Sequence, residues 1–215
     1  MTALVAFDHL AGVPVHWGYL GRTGSRKLMP AFLATLEQAL SALWEACPYG
    51  RAEAIVSAGA YVPRPPTPGD RHSTGTAFDL VTIHWPGAPP LLAANALTDS
   101  RRYLATEAVL RRHVPQVLDW WQGADHHGHW HLDDRAEAAG WSPQSRSDVS
   151  FVQACLTHVL WRPVDIDGVL GPQTQAALRS VLGELLVAQD VDTPAGWAAL
   201  LDAVARVGWG RVEAG

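Results

Sequence analysis

Between Pro30 and Cys47 the apolar residues Phe32, Leu33, Leu36, Leu40, Leu43 and Trp44 recur at helical spacing. Residues three and four apart share one face of a helix, so this pattern predicts an amphipathic helix with one buried stripe. Pro30 suits its first turn, where a missing N–H costs nothing, and Pro48-Tyr49-Gly50 ends it. Ala54 to Ala58 is a short strand-like run, and Ala77 to Trp85 predicts a second strand. The proline-rich stretch Val62–Asp70 separates them as a loop, and Pro86–Pro90 is another. Thr98 to Trp121 predicts one helix with its cap near Asp99 or Ser100 and Leu104, Val109, Leu110 and Val114 on one face. Pro115 should kink or divide it. A strand is expected around His129 to Asp133. Residues 1–27, with Gly12, Gly18, Gly21 and Gly24, show no clear period and predict loops with a short strand.

The pattern changes at Gly140–Ser147, which is polar and loop-like and marks a domain boundary. Beyond it come short helices at about 148–160, at 172–188 opened by Pro172, and at 194–207 opened by Pro194 and stopped by Gly208. The expected fold class is α+β. Residues 1–142 form a domain of sheet plus helices, and residues 143–215 form a small all-α three-helix domain.

Composition narrows the function classes. The chain has 215 residues, 48% hydrophobic and 17% charged, with a net charge of −5 and no Lys/Arg cluster, which argues against a nucleic-acid partner. No run approaches the roughly 20 apolar residues of a membrane span. The N-terminus lacks the basic region and apolar stretch of an export signal. Cys47 and Cys155 are too few for a disulfide framework, and two buried thiols are expected rather than one bridge. The ten tryptophans exceed what this size needs, and most are expected in the core.

Chemistry concentrates in Asp125-His-His-Gly-His-Trp-His-Leu-Asp-Asp134, where four of the ten histidines fall within six positions. On a strand His129 and His131 point one way and Trp130 the other, and His126 can close on the same space. Such a gathering suits metal ligation or proton shuttling. A zinc hydrolase needs three protein ligands and an open position, so more donors must come from elsewhere. The best source is Arg71-His-Ser-Thr-Gly-Thr-Ala-Phe-Asp79. On a helix, His72 and Asp79 would stand roughly 10 Å apart, too far for one metal. On a loop turning into a strand at Gly75 they can converge.

His-x6-Asp followed by His-x-His resembles the signature of the lysostaphin, D-Ala-D-Ala peptidase and hedgehog group of metallopeptidases. His72-Ser-Thr-Gly75-Thr-Ala77-Phe-Asp79 looks like the His-x-x-Gly-x-Ala-x-Asp stretch of D-Ala-D-Ala carboxypeptidase-like and extensin-like domains. His126-x-x-His129-x-His131-Leu-Asp133 looks like the closing motif of extensin-like domains and penicillin-insensitive murein endopeptidases. The resemblance covers roughly residues 50–135 and implies a hedgehog/D-Ala-D-Ala-peptidase-like domain with zinc held by His72, Asp79 and His131. Two positions depart from the pattern: Asp70 stands where many members have Ser, and Gly128 where many have a carboxylate base. Gly cannot take a proton, but penicillin-insensitive murein endopeptidases also lack a carboxylate there and carry the two extra histidines, so the resemblance implies an acid–base role for His129 with His126 as helper. Arg64 or Arg71 would hold a substrate carboxylate or an oxyanion. His127 is expected to point away, and His9, His16, His84, His113 and His158 to be ordinary surface or core residues. Asp133 and Asp134 could orient an imidazole.

In the C-terminal part, Asp167-Gly168-Val-Leu-Gly171-Pro172-Gln-Thr174 resembles the Asp-Gly-x-Phe-Gly-Pro-x-Thr hallmark of three-helix peptidoglycan-binding domains, with Leu170 in place of Phe. Each of these residues also has a turn or helix-start job of its own. Together the two resemblances imply a monomeric zinc metallopeptidase acting on peptidoglycan, a murein endopeptidase before a D,D-carboxypeptidase or a non-catalytic zinc- and wall-binding protein. Without an export signal in the chain, delivery is expected through a phage holin or a specialised secretion system, with an immunity protein as a possible partner. A truncated sequence is the alternative.

Overall fold

The computed structural model describes residues 3–18, 22–135, 140–184 and 190–210. Among these the chain runs β1 (Val5–Phe7), β2 (His9–Leu10), β3 (Val13–Trp17), β4 (Arg26–Leu28), α1 (Pro30–Ala46), β5 (Ala54–Gly59), β6 (Ala77–His84), β7 (Leu91–Leu92) and α2 (Ser100–His113). It continues through β8 (Gln116–Leu118), β9 (Trp130–Asp133), α3 (Arg146–His158), α4 (Pro172–Glu184) and α5 (Pro194–Gly208). Short 3-10 turns at Trp120–Gln122 and Ala124–His126 join β8 to β9. The molecule is therefore mixed α and β. Its main sheet has the order β2-β3-β5-β6-β9-β8, with β7 also on β6, and β1 pairs with β4 in a separate ribbon. The β3–β5 pair is parallel and the others are antiparallel.

Two sequence expectations are corrected. Residues 98–121 are not one helix: α2 stops at His113, and Gln116–Leu118 is the edge strand of the sheet. The proline ring at position 115 pushes the preceding Val114 out of the helical region, to φ −94 and ψ 128. An edge strand can start after a proline because one side of it needs no ladder donor. Residues 1–27 hold more strand than expected. Val13, Val15 and Trp17 are buried and alternate with half-buried Pro14 and His16, a two-residue period that the flanking glycines obscured.

Helix α1 buries the stripe Phe32, Leu36, Leu40, Leu43 and Trp44, with Pro30 in its first turn. Helix α2 is buried from Tyr103 through Leu110, because α1 and the sheet cover one side and α3 and α5 the other. Each fully buried Leu or Tyr there contributes roughly 1.5–3 kcal/mol. Gly208 of α5 lets the two helices approach closely, since a Cβ at that position would lie 2.7 Å from Ala105 Cβ and 2.8 Å from the Arg101 carbonyl oxygen. One apolar core runs from Phe7 to Trp209. Residues 185–188 of the helix expected over 172–188 lie outside the described residues. No helix among the described residues is long and apolar enough to cross a membrane.

The loop that resembles the peptidoglycan-binding hallmark is organised by one buried amide. Gln153 Nε2 donates to Asp167 Oδ1 at 2.8 Å and to Thr174 Oγ1 at 3.2 Å, while its Oε1 accepts from Gly168 N at 2.8 Å. Gly168 has φ +73, and a Cβ there would meet Arg146 Cγ at 2.5 Å. The motif's polar residues thus serve the turn itself.

Candidate metal centre

Register places the centre on one rung of the sheet. Across β5, β6 and β9, Gly59 faces Asp79 and Asp79 faces His131. Directly opposed residues on antiparallel strands hold their Cβ atoms roughly 4.5–5.5 Å apart, close enough for side chains to share one ligand. His131 Nδ1 lies 2.8 Å from Asp79 Oδ1. The β9 alternation sends Trp130 into the core with no exposed surface, leaving His129, His131 and Asp133 on the other face.

His72 arrives from the loop before β6. Gly75 has φ +74, a conformation L side chains rarely adopt, and its N–H returns to the His72 carbonyl at 3.2 Å. That turn swings the imidazole back so that His72 Nε2 stands 3.2 Å from Asp79 Oδ2. The missing side chain of Gly59 makes the space: a Cβ there would lie 2.7 Å from Asp79 Oδ2 and 3.4 Å from His72 Cε1. Sequence reasoning missed Gly59, whose only trace is a glycine closing a strand of otherwise larger residues.

The tautomers follow from the outer partners. His72 Nδ1 lies 2.7 Å from the Ala60 carbonyl and must donate to it, so Nε2 is the atom that faces Asp79 and would present a lone pair to a cation once its proton is lost. His131 Nε2 lies 3.3 Å from Asp133 Oδ2, which leaves Nδ1 facing inward. The inward atoms of His72, Asp79 and His131 all lie within 4.8 Å of one another, and this group could hold a metal ion. Two imidazoles and a carboxylate are a donor set common to first-row divalent metals, and the cradle at Gly59 keeps the carboxylate where they converge.

Charge divides the four neighbouring imidazoles. Burial pushes the Asp79 carboxyl up, but hydrogen bonds from His131 and His72 outweigh it and hold it well below the usual carboxylate range. Burial pulls His131 down, yet hydrogen bonds to Asp133 and Asp79 lift it to about 9. His72 is also raised, burial being offset by its bond to and the charge of Asp79. His129 and His126 are lowered, by burial first and then by the neighbouring imidazoles. His129 Nε2 lies 3.5 Å from Asp79 Oδ1, and the His126 ring centre lies 5.4 Å from that of His129 and 6.0 Å from that of His131. A cation would therefore have to displace the His131 proton, whereas His129 and His126 are shifted toward the neutral form that can accept one.

The remaining candidates sit as follows. His127 stacks flat on Trp120, with ring centres 3.9 Å apart, away from the rung. Arg64 is exposed and forked onto Asp70, at 2.6 and 2.9 Å, so the residue standing in the usual Ser position holds this guanidinium. Arg71 Nε lies 3.8 Å from Asp134 Oδ1. The contacts of both arginines run to loop and strand-end carboxylates rather than to the three-residue cluster. Asp133 is fully buried and binds His131 and the Arg135 N–H, whereas Asp134 is exposed.

No family model matches this chain, and neither a curated protein nor a solved structure matches it.

Proposed function

We propose that this chain is a zinc-dependent peptidoglycan peptidase with a hedgehog/D-Ala-D-Ala-peptidase-like N-terminal domain, acting as a murein endopeptidase on peptide cross-links. The observation that carries this reading is the convergence of His72, Asp79 and His131, whose inward atoms lie within 4.8 Å of one another, with His129 Nε2 3.5 Å from Asp79 Oδ1 beside them. His72, Asp79 and His131 would hold zinc, which supplies a Lewis acid that polarises a carbonyl and acidifies water. His129 is the general base that takes the proton from the attacking water and returns it to the leaving amine, with His126 beside it as the second imidazole of the relay. Ala60 and Asp133 hold the ligand tautomers. Arg71, one residue before the first ligand, is better placed than Arg64 to meet a substrate carboxylate, because Asp70 already neutralises Arg64.

The C-terminal helices would hold the wall. A cavity of about 410 Å³, lined among others by Trp141, Leu170, Leu178, Arg179 and Asp190, offers apolar surface with charged edges for a muropeptide. The test is incubation of purified murein with the protein, with EDTA, and with EDTA followed by excess zinc. New soluble cross-link fragments that vanish with EDTA and return with zinc are expected. Loss of terminal D-Ala alone would make it a carboxypeptidase, and no product at all would sink the enzyme reading.

A further inference from the structure

The turn that carries the histidine cluster is gripped from behind by helix α3. Asp119 is fully buried, and its Oδ1 accepts the Trp121 N–H at 3.0 Å, capping the Trp120–Gln122 turn. Its other oxygen lies 3.6 Å from Arg111 Nη2. The same guanidinium holds Glu107 at 2.7 Å and, from α3, Asp148 Oδ1 at 2.9 Å and Ser147 Oγ at 2.8 Å. Two further contacts come straight from α3. Gln122 Nε2 donates to Ser150 Oγ at 2.7 Å, and the Trp121 ring stacks on His158 with centres 6.0 Å apart.

That turn passes its placement on to the imidazoles. Trp120 stacks on His127, and its N–H donates to the Tyr103 hydroxyl at 3.0 Å. The Tyr103 ring stacks in turn on Trp130, which sits between His129 and His131, with centres 4.4 Å apart. The next 3-10 turn follows after the single residue Gly123, at φ +115, with the His126 N–H on the Gly123 carbonyl at 2.9 Å. His72 and Asp79 are supported differently, by β5, β6 and the Gly75 loop, whereas His131 pairs across β8 and β9 with Leu118, directly before Asp119.

We propose that α3 is a positioning element of the reactive site: through Asp119 and Gln122 it sets His126 and His129, so the C-terminal helices complete the site as well as extend it. A buried cation shared by three carboxylates is costly to assemble and is retained where it specifies one arrangement. A misplacement of an acid–base group by about 1 Å can cost roughly 100-fold in rate. Asp119 and Gln122 need touch neither metal nor substrate to produce that loss. The inference rests on the peptidase reading only for its effect on turnover.

The full-length chain with histidine ring nitrogens labelled tests it, in the forms Gln122→Met, Gln122→Glu, Ser150→Ala and Asp119→Asn. Gln122→Met and Ser150→Ala should fold, keep zinc affinity, shift the ring resonances of His126 and His129 more than that of His131, and leave that of His72 in place. Turnover on murein should fall roughly 10- to 100-fold with KM unchanged. Gln122→Glu, an acceptor only when ionised, loses the bond donated to Ser150 Oγ, whose own proton goes to the Ser147 carbonyl at 3.2 Å, and should shift resonances and rate as Gln122→Met does. Asp119→Asn should act in the same direction, and if it does not fold the Gln122 pair decides. Unmoved His126 and His129 resonances in Gln122→Met and Ser150→Ala would overturn the proposal. So would a parallel fall in zinc affinity, which would mean a general scaffold role. The resonance arm needs no substrate, so a wild type that cuts no murein defeats the peptidase reading and leaves this inference to be judged by the resonances.

Discussion

The molecule holds two clusters of acids with basic partners, one around Asp79 and one around Arg111, and they handle buried charge in opposite ways. Arg111 has 5% of its side chain exposed, Glu107 and Asp119 none, and burial drives the Glu107 carboxyl well up. The positive charge there is a guanidinium that cannot be given up at any ordinary pH. Around Asp79 the side chains of His72, His129 and His131 keep 14–18% exposure, and the positive charge is carried by protons on imidazoles. Those protons can leave when a cation arrives. A site built to exchange its charge uses titratable partners within reach of water; a site built to hold the fold uses a permanent cation sealed away.

Breaking the sealed cluster should cost most. Arg111→Met leaves Asp119 and Asp148 without their cation and should destabilise the protein by about 3–5 kcal/mol, read as a lower urea midpoint that added zinc does not restore by more than it stabilises wild type. Asp79→Ala should do the reverse. Zinc affinity should fall by at least about 100-fold, or about 2.7 kcal/mol, in a competition titration against a chromophoric chelator, while the urea midpoint of the metal-free protein falls less than in Arg111→Met. Gly59→Ala sharpens the comparison because it adds only a methyl group, at 2.7 Å from Asp79 Oδ2. It should weaken zinc about tenfold with the fold intact, a result no repacking of the core would give.

The smallest effect is pH dependence, and its sign follows from His131. Its folded pKa is raised to about 9, so its contribution to the metal-free fold is fully present below the ordinary value of about 6.5 and is lost as pH rises through about 9. Zinc must displace that proton, so apparent affinity should climb over the same interval, by up to roughly tenfold per pH unit. Calorimetry in buffers of different ionisation enthalpy should report about one proton released near pH 7.5. An affinity that is flat from pH 6.5 to 9 would mean that His131 is not a ligand.

Much of this centre was legible in the order of residues. The alternation His129-Trp130-His131-Leu132-Asp133 already separates a core face from a polar one, because a strand's side chains alternate whatever surrounds them. Gly75 was legible for the same local reason, as the one residue type that takes the required φ freely. The Arg64–Asp70 fork was not, since a proline-rich loop carries no period from which to read who meets whom. The helix drawn through residues 98–121 failed at Val114, where local sterics before Pro115 outrank a continuing apolar pattern. In the C-terminal helices, Asp167 and Thr174 stood out as a motif, but their convergence on Gln153 appeared only once α3 and α4 were packed together.

By itself, then, the chain's sequence pointed through a motif resemblance to His72, Asp79 and His131 with His129 and His126 beside them, and through local backbone periods to α1, α3, α4, α5 and the strands β5, β6 and β9. Only the tertiary structure decided that Gly59, Asp79 and His131 form one rung, that Gly59 must lack a Cβ, and that α3 stands behind the histidine turn. Cross-strand register and helix docking are set by where buried side chains from distant segments meet, and no local pattern encodes that meeting.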